Sequence, residues 1–185
     1  MTNPRIKFTI TDYMSTPNGK RYQLLDGEMV PALSPTTRHQ TILGRLSIAL
    51  HEWVNSSQLG RVWVSPLDVI LSDHDVVQPD LLFVSSGRAN IVTEANVQGA
   101  PDLVVEILSP ATAQHDREYK RTLYSRHGVR EYWLVDPEED MVEVWTESDS
   151  ESGTGLVLAA AYQSGDTLAS PLLEGLNIPL GAIFT

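Results

Sequence analysis

An almost uninterrupted apolar run at residues 101–108 constrains the fold of this chain more than any other feature of the sequence. Such a run predicts a β-strand that is buried on both faces of its sheet. The interruption is Glu106, whose carboxylate is costly to bury without a cation, a metal ion or a raised pKa. Strand alternation places Asp102, Val104 and Leu108 on the same face as Glu106. The strand therefore carries a carboxylate with either a chemical or an ion-pairing role.

A second acidic residue, Asp80, opens another apolar stretch, residues 76–84, directly after Pro79. Proline is tolerated at strand starts and fixes where pairing begins, so Asp80 is expected at the end of a strand. If this strand neighbours that of Glu106, the two carboxylates converge. Two carboxylates with water and a backbone carbonyl are ligands with which proteins usually hold Mg²⁺. Taken alone, a strand-start aspartate is the simpler interpretation of Asp80.

The third candidate, Lys120, lies in a helix predicted to follow the Glu106 strand. It shares a helix face with Leu123 and Tyr124, which are expected to point inward, so Lys120 lies at the margin of the inward stripe. Asp116 precedes Lys120 by four residues, a spacing that suits an ion pair. Two alternatives stay open: an exposed Asp116–Lys120 pair, and a structural ion pair between Lys120 and Glu106.

The remaining conspicuous residues are assigned to capping, packing or solvent. His39, near the start of the first long helix, is expected to cap or pack. The arginines expected on solvated faces are Arg61, Arg117, Arg121, Arg126 and Arg130. The tryptophans expected in the core or at a subunit interface are Trp53, Trp63, Trp133 and Trp145.

Hydrophobic periodicity and turn signals predict an α+β domain with a central mixed sheet flanked by helices. Predicted helices cover residues 8–14, about 37–55 and 114–127, the last with Gly128 as its C-cap. Predicted strands cover 21–25, 28–33, 61–71, 76–84, 101–108, 131–135, 141–146 and 156–162. Asp26-Gly27 is the turn of the first hairpin. Residues 146–155 are expected to form a loop, and the tail from Leu168 is expected to be irregular.

Length and composition narrow the class of protein. A chain of 185 residues suits one domain, with a core at about residues 20–145 and C-terminal strands and tail at 146–185. The absence of cysteine excludes disulfides, thiolate metal sites and cysteine nucleophiles. No secretory signal or membrane span is visible, which predicts a cytoplasmic protein. The net charge of −11 argues against a non-specific nucleic-acid coat protein but permits a local groove for DNA.

The spacing of the acidic residues resembles a known nuclease signature. Pro79-Asp80, 25 intervening residues and Glu106 are similar to the PD-(D/E)XK motif, and the order of elements resembles the restriction-endonuclease-like core. More narrowly, the chain resembles the Uma-type family of bacterial restriction endonucleases, long carried as a domain of unknown function. The matching positions are residues 22–28, His39, 76–84, 100–110, Asp116, Lys120, Tyr124 and 128–137.

The resemblance implies a DNA endonuclease that hydrolyses phosphodiester bonds with Mg²⁺ or Mn²⁺. It implies that Asp80, Glu106 and the backbone carbonyl of Ile107 bind the metal ion. The superfamily lysine normally follows the glutamate by two residues, where this chain has Leu108, so Lys120 is expected to take that catalytic role. The family resemblance also implies a homodimer.

Three more residues are expected to support these groups or to contact the substrate: Gln23, His39 and Asp116. Gln23 stands where the family usually has glutamate. A second hypothesis, favoured by Gln23, Leu108 and the net charge, is a nuclease fold that is catalytically weak or inactive and serves binding or assembly. A third is a purely structural homodimer with an aromatic interface.

Overall fold

The structure, a computed structural model, describes residues 7–17, 22–109, 116–148 and 155–185. Its α-helices are α1 Ile10–Met14, α2 Thr37–Ser56, α3 Arg121–His127 and α4 Gly181–Phe184, and a π-helical turn, Asp116–Lys120, leads into α3. The strands are β1 Tyr22–Leu25, β2 Glu28–Pro31, β3 Gly60–Val64, β4 Val69–Ser72, β5 Asp75–Val77, β6 Leu81–Ser85, β7 Val97–Gln98, β8 Leu103–Ile107, β9 Glu131–Asp136, β10 Met141–Glu147, β11 Leu156–Gln163, β12 Thr167–Ala169 and β13 Asn177–Pro179. None of these helices is long and apolar enough to cross a membrane.

A six-stranded mixed sheet in the order β11-β10-β9-β8-β6-β3 forms the centre of the fold. Strands β8 and β9 are parallel, and the chain crosses between them through α3; the other neighbours are antiparallel. A second sheet has the order β2-β1-β5-β4-β7, and β12 pairs with β13. The predicted α+β class with a mixed sheet is confirmed.

Both faces of the six-stranded sheet are covered. On one face, α2 presents an apolar stripe at helical spacing. The buried cluster on this side includes Ile42, Leu46, Leu50, Val105, Ile107 and Trp133. The cluster on the other side, shared with the second sheet and α3, includes Leu25, Val77, Val104, Leu108, Leu123 and Tyr124. Strand β8 is buried along its whole length, as its apolar run predicted.

Two predicted long strands are each divided between the two sheets. Residues 61–71 form β3 in the six-stranded sheet and β4 in the second sheet, and residues 76–84 likewise form β5 and β6. Pro66 and Pro79 lie at the breaks, and a proline interrupts the strand ladder because it has no backbone N–H. Continuous strands were therefore the wrong prediction. The division brings the start of β6 to the junction of the two sheets.

The C-terminal tail is ordered, which corrects the prediction of an irregular segment. Strands β12 and β13 and helix α4 contribute apolar residues to the cluster beside α2. The tail is anchored on Glu131, whose carboxylate accepts hydrogen bonds from Trp133 Nε1 at 2.6 Å, Ser170 Oγ at 2.6 Å and Leu172 N at 2.8 Å. Burial raises the pKa of Glu131.

The local turn and cap signals behave as predicted where the structure describes them. Asp26 and Gly27 adopt φ values of 49° and 78° between the paired strands β1 and β2. Gly128 ends α3 with φ 83°. The predicted helix over 114–127 begins outside the described residues, and its first described turn is π-helical. Most of the predicted loop over 146–155 also lies outside them.

Candidate active site

A cleft of about 680 Å³ opens where β6 and β8 reach the junction of the two sheets. Six of the predicted site residues line it: Gln23, His39, Asp80, Glu106, Ile107 and Lys120. They come from β1, α2, the start of β6, the end of β8 and the turn before α3. The side chain of Asp116, the seventh, lies outside the described residues.

Asp80 is held by the neighbouring strand and by α2. Strands β6 and β8 pair antiparallel with Leu81 opposite Val105, so Asp80 lies across from the end of β8. Its Oδ2 accepts a hydrogen bond from Ile107 N at 2.8 Å, and its Oδ1 lies 3.1 Å from His39 Nε2. Its side chain keeps 16% of its accessible surface. Asp80 is therefore fixed in orientation while it still faces the cleft.

His39 combines the expected capping position with a contact to the acidic group. Its backbone N–H donates to Thr36 Oγ1 at 3.2 Å, the N-cap bond of α2. Its ring contacts Asp80, and because a carboxylate only accepts hydrogen bonds, that contact requires a proton on Nε2. Helix α2 thereby orients one wall of the cleft.

Glu106 and Lys120 form a buried ion pair beside Asp80. Lys120 Nζ lies 2.9 Å from Glu106 Oε1, and the two side chains keep 6% and 5% of their accessible surface. Tyr124 Oη donates to the same Oε1 at 2.5 Å. The pair is the structural alternative left open by the sequence.

Tyr124 is the residue that sequence reasoning assigned only to packing. It is fully buried, and its ring centroid lies 5.3 Å from that of Tyr132. Tyr124 follows Lys120 by four residues, so both side chains lie on one helix face and both contact Oε1 of Glu106. This four-residue spacing is the sequence feature that could have indicated a contact between Tyr124 and Glu106.

Gln23 lines the cleft, and its amide oxygen is bonded to the backbone of Gln78. Its Oε1 accepts from Gln78 N at 3.3 Å, which fixes the orientation because a backbone N–H only donates. Gln78 Nε2 in turn donates to Asp68 Oδ1 at 2.8 Å, and so does Tyr13 Oη. Burial, with the Asp68 contact, raises the pKa of Tyr13. The amide nitrogen of Gln23 can only donate hydrogen bonds, whereas a glutamate at this position would have only acceptors.

The position two residues after Glu106 is part of the core. Leu108 is buried in the cluster that includes Leu123 and Tyr124, and its N–H donates to Val135 O at 2.8 Å. A lysine there would face an apolar cluster, and the lysine that does line the cleft, Lys120, comes from the turn before α3.

Four of the five arginines expected on solvated faces make specific contacts. Arg117 bridges Asp136 at 2.5 Å and Glu143 at 2.9 Å, and the Arg121 guanidinium lies 4.2 Å from the ring centroid of Trp145. Arg126 lies 3.5 Å from Asp75, and Arg130 lies 3.5 Å from Asp102. Arg126 and Arg130 nevertheless keep 58% and 53% of their side-chain surface, so the solvated-face prediction is confirmed for them. It was wrong for Arg117 and Arg121, which are half-buried because the fold brings acidic and aromatic side chains alongside them. Arg61 is exposed, as expected.

Comparison with known proteins agrees with the resemblance seen in the sequence. The family model Uma2, described as "Putative restriction endonuclease", matches residues 10–181. No curated protein matches the chain. The fold is similar to the crystal structure of a "putative nuclease belonging to DUF820" from Anabaena variabilis, with a TM-score of 0.76 and 20% sequence identity over 96% of this chain and 97% of that chain. Because the family model spans residues 10–181, this chain belongs to the Uma2 family, whose members are described as putative restriction endonucleases.

Proposed function

We propose that the chain is a divalent-metal-dependent DNA endonuclease with Asp80, Glu106 and Lys120 as its catalytic residues. The observation that carries the proposal is that all three line one cleft although they come from separate segments of the sequence. Each is held there by a specific contact: Asp80 by Ile107 N, and Glu106 and Lys120 by one another. Family membership supplies the reaction class, and the cleft supplies the residues for it.

The donor set fits a magnesium ion. Among the described residues, no group of three or more His, Asp or Glu side chains is placed to hold a metal ion. Mg²⁺ does not need such a group, because it is commonly held by one or two carboxylates with several waters retained. Asp80 and Glu106, with the backbone carbonyl of Ile107, would provide that set. The bound ion would supply a water of lowered pKa and positive charge beside the phosphate.

The roles of the protein groups follow from where they are held. Asp80 keeps one oxygen on Ile107 N and the other beside His39, so it meets a ligand in one orientation. Lys120 brings the cationic side chain of the cleft to within hydrogen-bond distance of Glu106, where it would orient water or neutralise phosphate. Gln23 would donate its amide to the substrate, and His39 would hold Asp80. Asp116 stays a prediction.

Cleavage of supercoiled plasmid tests the proposal. We expect nicking or linearisation by the wild type with Mg²⁺ or Mn²⁺, and none by Asp80→Ala or Glu106→Ala. A matched control is Asp166→Ala, an exposed aspartate outside the cleft. Equal cutting by the wild type and both cleft variants would contradict the proposal.

The competing function is a binding or assembly domain that has kept the nuclease fold. It is favoured by the net charge of −11 and by the Lys120–Glu106 pair, which satisfies both charges within the protein. Calorimetry with Mn²⁺ separates the two functions, since a metal-dependent nuclease must bind the ion. If the protein takes up no measurable Mn²⁺ at millimolar concentration and does not cut plasmid, the binding domain is favoured.

The predicted homodimer has a candidate interface in β11. Among the described strands, β11 pairs only with β10, and it exposes Val157 and Leu158 with no charged residue along its length. An uncharged exposed edge strand can pair with another strand. If β11 of two copies pair, no like charges face each other. Light scattering should show a dimer that Val157→Lys converts to a monomer; a dimer that survives the change would place the interface elsewhere. The cytoplasmic location stays a prediction.

A further inference from the structure

We infer that the cleft accepts an unpaired strand of DNA, with one nucleotide at a time inside it, and that relaxed duplex, which lacks the unpaired segments of a supercoiled plasmid, is a poor substrate. This inference rests on the nuclease function proposed above. Two independent features of the cleft and its surroundings carry it: the charge available for phosphate, and the chemistry of the cleft walls.

Seven of the ten lysine and arginine side chains in the described ranges pair with carboxylates. The pairs are Lys7–Asp26, Arg38–Asp140, Arg88–Asp102, Arg117–Asp136, Lys120–Glu106, Arg126–Asp75 and Arg130–Asp102. Within the described ranges, only Arg45, Arg61 and Arg121 lack a side-chain carboxylate partner, and none of them lines the cleft. Duplex binding depends on Lys and Arg that neutralise many phosphates along both strands. The described surface offers no such track beside the cleft.

The cleft itself can neutralise one phosphate. Its charged residues are Asp80, Glu106 and Lys120, with the His39 ring beside Asp80. A divalent ion would balance the two carboxylates, and the ammonium group then leaves a single excess positive charge. That charge matches one phosphodiester group, the one to be cleaved. The rest of a bound strand must be held by other means.

The walls of the cleft suit a base that has left its stack. The apolar lining residues include Leu25, Val30, Leu33, Pro35 and Pro66. The volume of about 680 Å³ falls in the range of roughly 300–1,000 Å³ that small-molecule sites occupy. Enzymes that take up a single nucleotide commonly hold its base between apolar side chains. In intact duplex these base faces are covered by neighbouring bases, so a paired nucleotide cannot use such walls.

Two amides in the lining add groups that match a base edge. Gln23 lines the cleft from β1, with its amide oxygen bonded to Gln78 N, and Gln40 lines it from the first turn of α2. A glutamine amide can donate and accept at once, as the edges of bases require. In duplex DNA the Watson–Crick edges are already paired. The amides therefore add to the preference for an unpaired nucleotide.

A cleavage comparison tests the inference. The substrates are a 5′-fluorescent 30-nucleotide single strand, the same strand in a duplex, and that duplex with a central unpaired bubble, each with Mn²⁺. We expect the single strand and the bubble to be cut at least tenfold faster than the duplex, with bubble cuts confined to the unpaired segment. Equal or faster duplex cutting that Asp80→Ala abolishes would overturn the inference and leave the nuclease function standing. No cutting of any substrate would overturn both.

Salt dependence of binding gives a second readout that does not require catalysis. With Ca²⁺ as the divalent ion, we measure anisotropy of the labelled single strand and duplex between 50 and 200 mM salt. One neutralised phosphate on a single strand predicts a slope of log K against log salt of about −0.7, whereas six to ten phosphate contacts on duplex would give about −5 to −9. A slope of −2 or steeper, or tighter binding of the duplex, would overturn the inference.

A wall variant and a matched control connect the preference to the cleft. Leu33 is 60% exposed in the wall, and Ile48 is 61% exposed on α2 outside the cleft. Leu33→Asp should lower kcat/KM on the single strand at least tenfold because its charge repels the phosphate, while Ile48→Asp should leave it within twofold. Equal effects of the two substitutions would contradict the assignment of the wall.

Discussion

Lys120 Nζ lies 2.9 Å from Glu106 Oε1, and this pair joins the end of β8 to the turn that leads into α3. Because both groups are buried, their mutual attraction is offset by the cost of removing both from water. Such a pair contributes little net stability, but each charge offsets the cost of burying the other. The pair therefore keeps a carboxylate and an ammonium group charged at the cleft wall, where the proposed chemistry needs them.

The first prediction separates the structural role of this pair from its catalytic role. Lys120→Met leaves Glu106 as a buried charge without its ammonium partner and should cost about 3–5 kcal/mol of unfolding free energy. The double variant Lys120→Met with Glu106→Gln should be more stable than the single one, since no charge is left unpaired. Urea unfolding measures both. Plasmid cutting should be lost in either variant; a double variant that still cuts would remove both residues from the mechanism.

The second prediction concerns Tyr124, which should act as a positioning residue for Glu106. Tyr124→Phe keeps the ring packed against Tyr132 and removes the hydroxyl that donates to Glu106 Oε1. Losing a hydrogen bond to a charged group should cost about 1.5–3 kcal/mol of stability. Because Glu106 would be held less firmly, Mn²⁺ affinity measured by calorimetry should also fall.

Tyr162→Phe is the control for that measurement, because the Tyr162 hydroxyl makes only an exposed contact to Ala169 O at 3.5 Å. It should change neither stability nor Mn²⁺ affinity. If Tyr124→Phe lowers stability and leaves Mn²⁺ affinity and the cleavage rate as in the wild type, Tyr124 is structural only.

The third prediction is a pH dependence of stability at Glu131. Burial raises the pKa of this carboxyl above its ordinary value of 4.5, so the folded state binds a proton in a range where the unfolded state has lost it. Its contribution to stability is therefore full below 4.5 and declines as pH rises from there through the raised folded pKa. Glu131→Gln removes this titration. The stability of the wild type minus that of Glu131→Gln, from urea unfolding at several pH values, should fall with pH across that window; a constant or rising difference would contradict the raised pKa.

The fourth prediction tests how closely β3 approaches β6, the strand that follows Asp80. A Cβ on Gly60 would lie 2.2 Å from Val84 O and 2.8 Å from Ser85 Cα, both backbone atoms that cannot move aside cheaply. Gly60→Ala should therefore destabilise the protein by at least about 2 kcal/mol, a size usual for steric conflict in a packed sheet. Gly87→Ala, whose Cβ would meet nothing within 4 Å, is the control. Equal unfolding midpoints for the two variants would contradict the packing.

Much of the site could be predicted because its signals are local. The apolar run around Glu106, the proline before Asp80 and the four-residue spacing of Lys120 and Tyr124 each depend on a few neighbouring residues. The division of residues 61–71 and 76–84 between two sheets was missed, although Pro66 and Pro79 mark the breaks. A proline signals that a ladder ends, but it does not tell which sheet the chain enters next.

The sequence by itself determined the fold class, the burial of β8 on both faces, the hairpin at Asp26-Gly27 and the helix end at Gly128. Those features follow from side-chain periodicity and backbone preference, which act within one segment. Only the tertiary structure decided that Lys120 meets Glu106, that Gln23 bonds to Gln78, and that Arg117 joins Asp136. These contacts connect segments far apart in the chain, and their distances are set by how the sheets and helices pack, which no local pattern encodes.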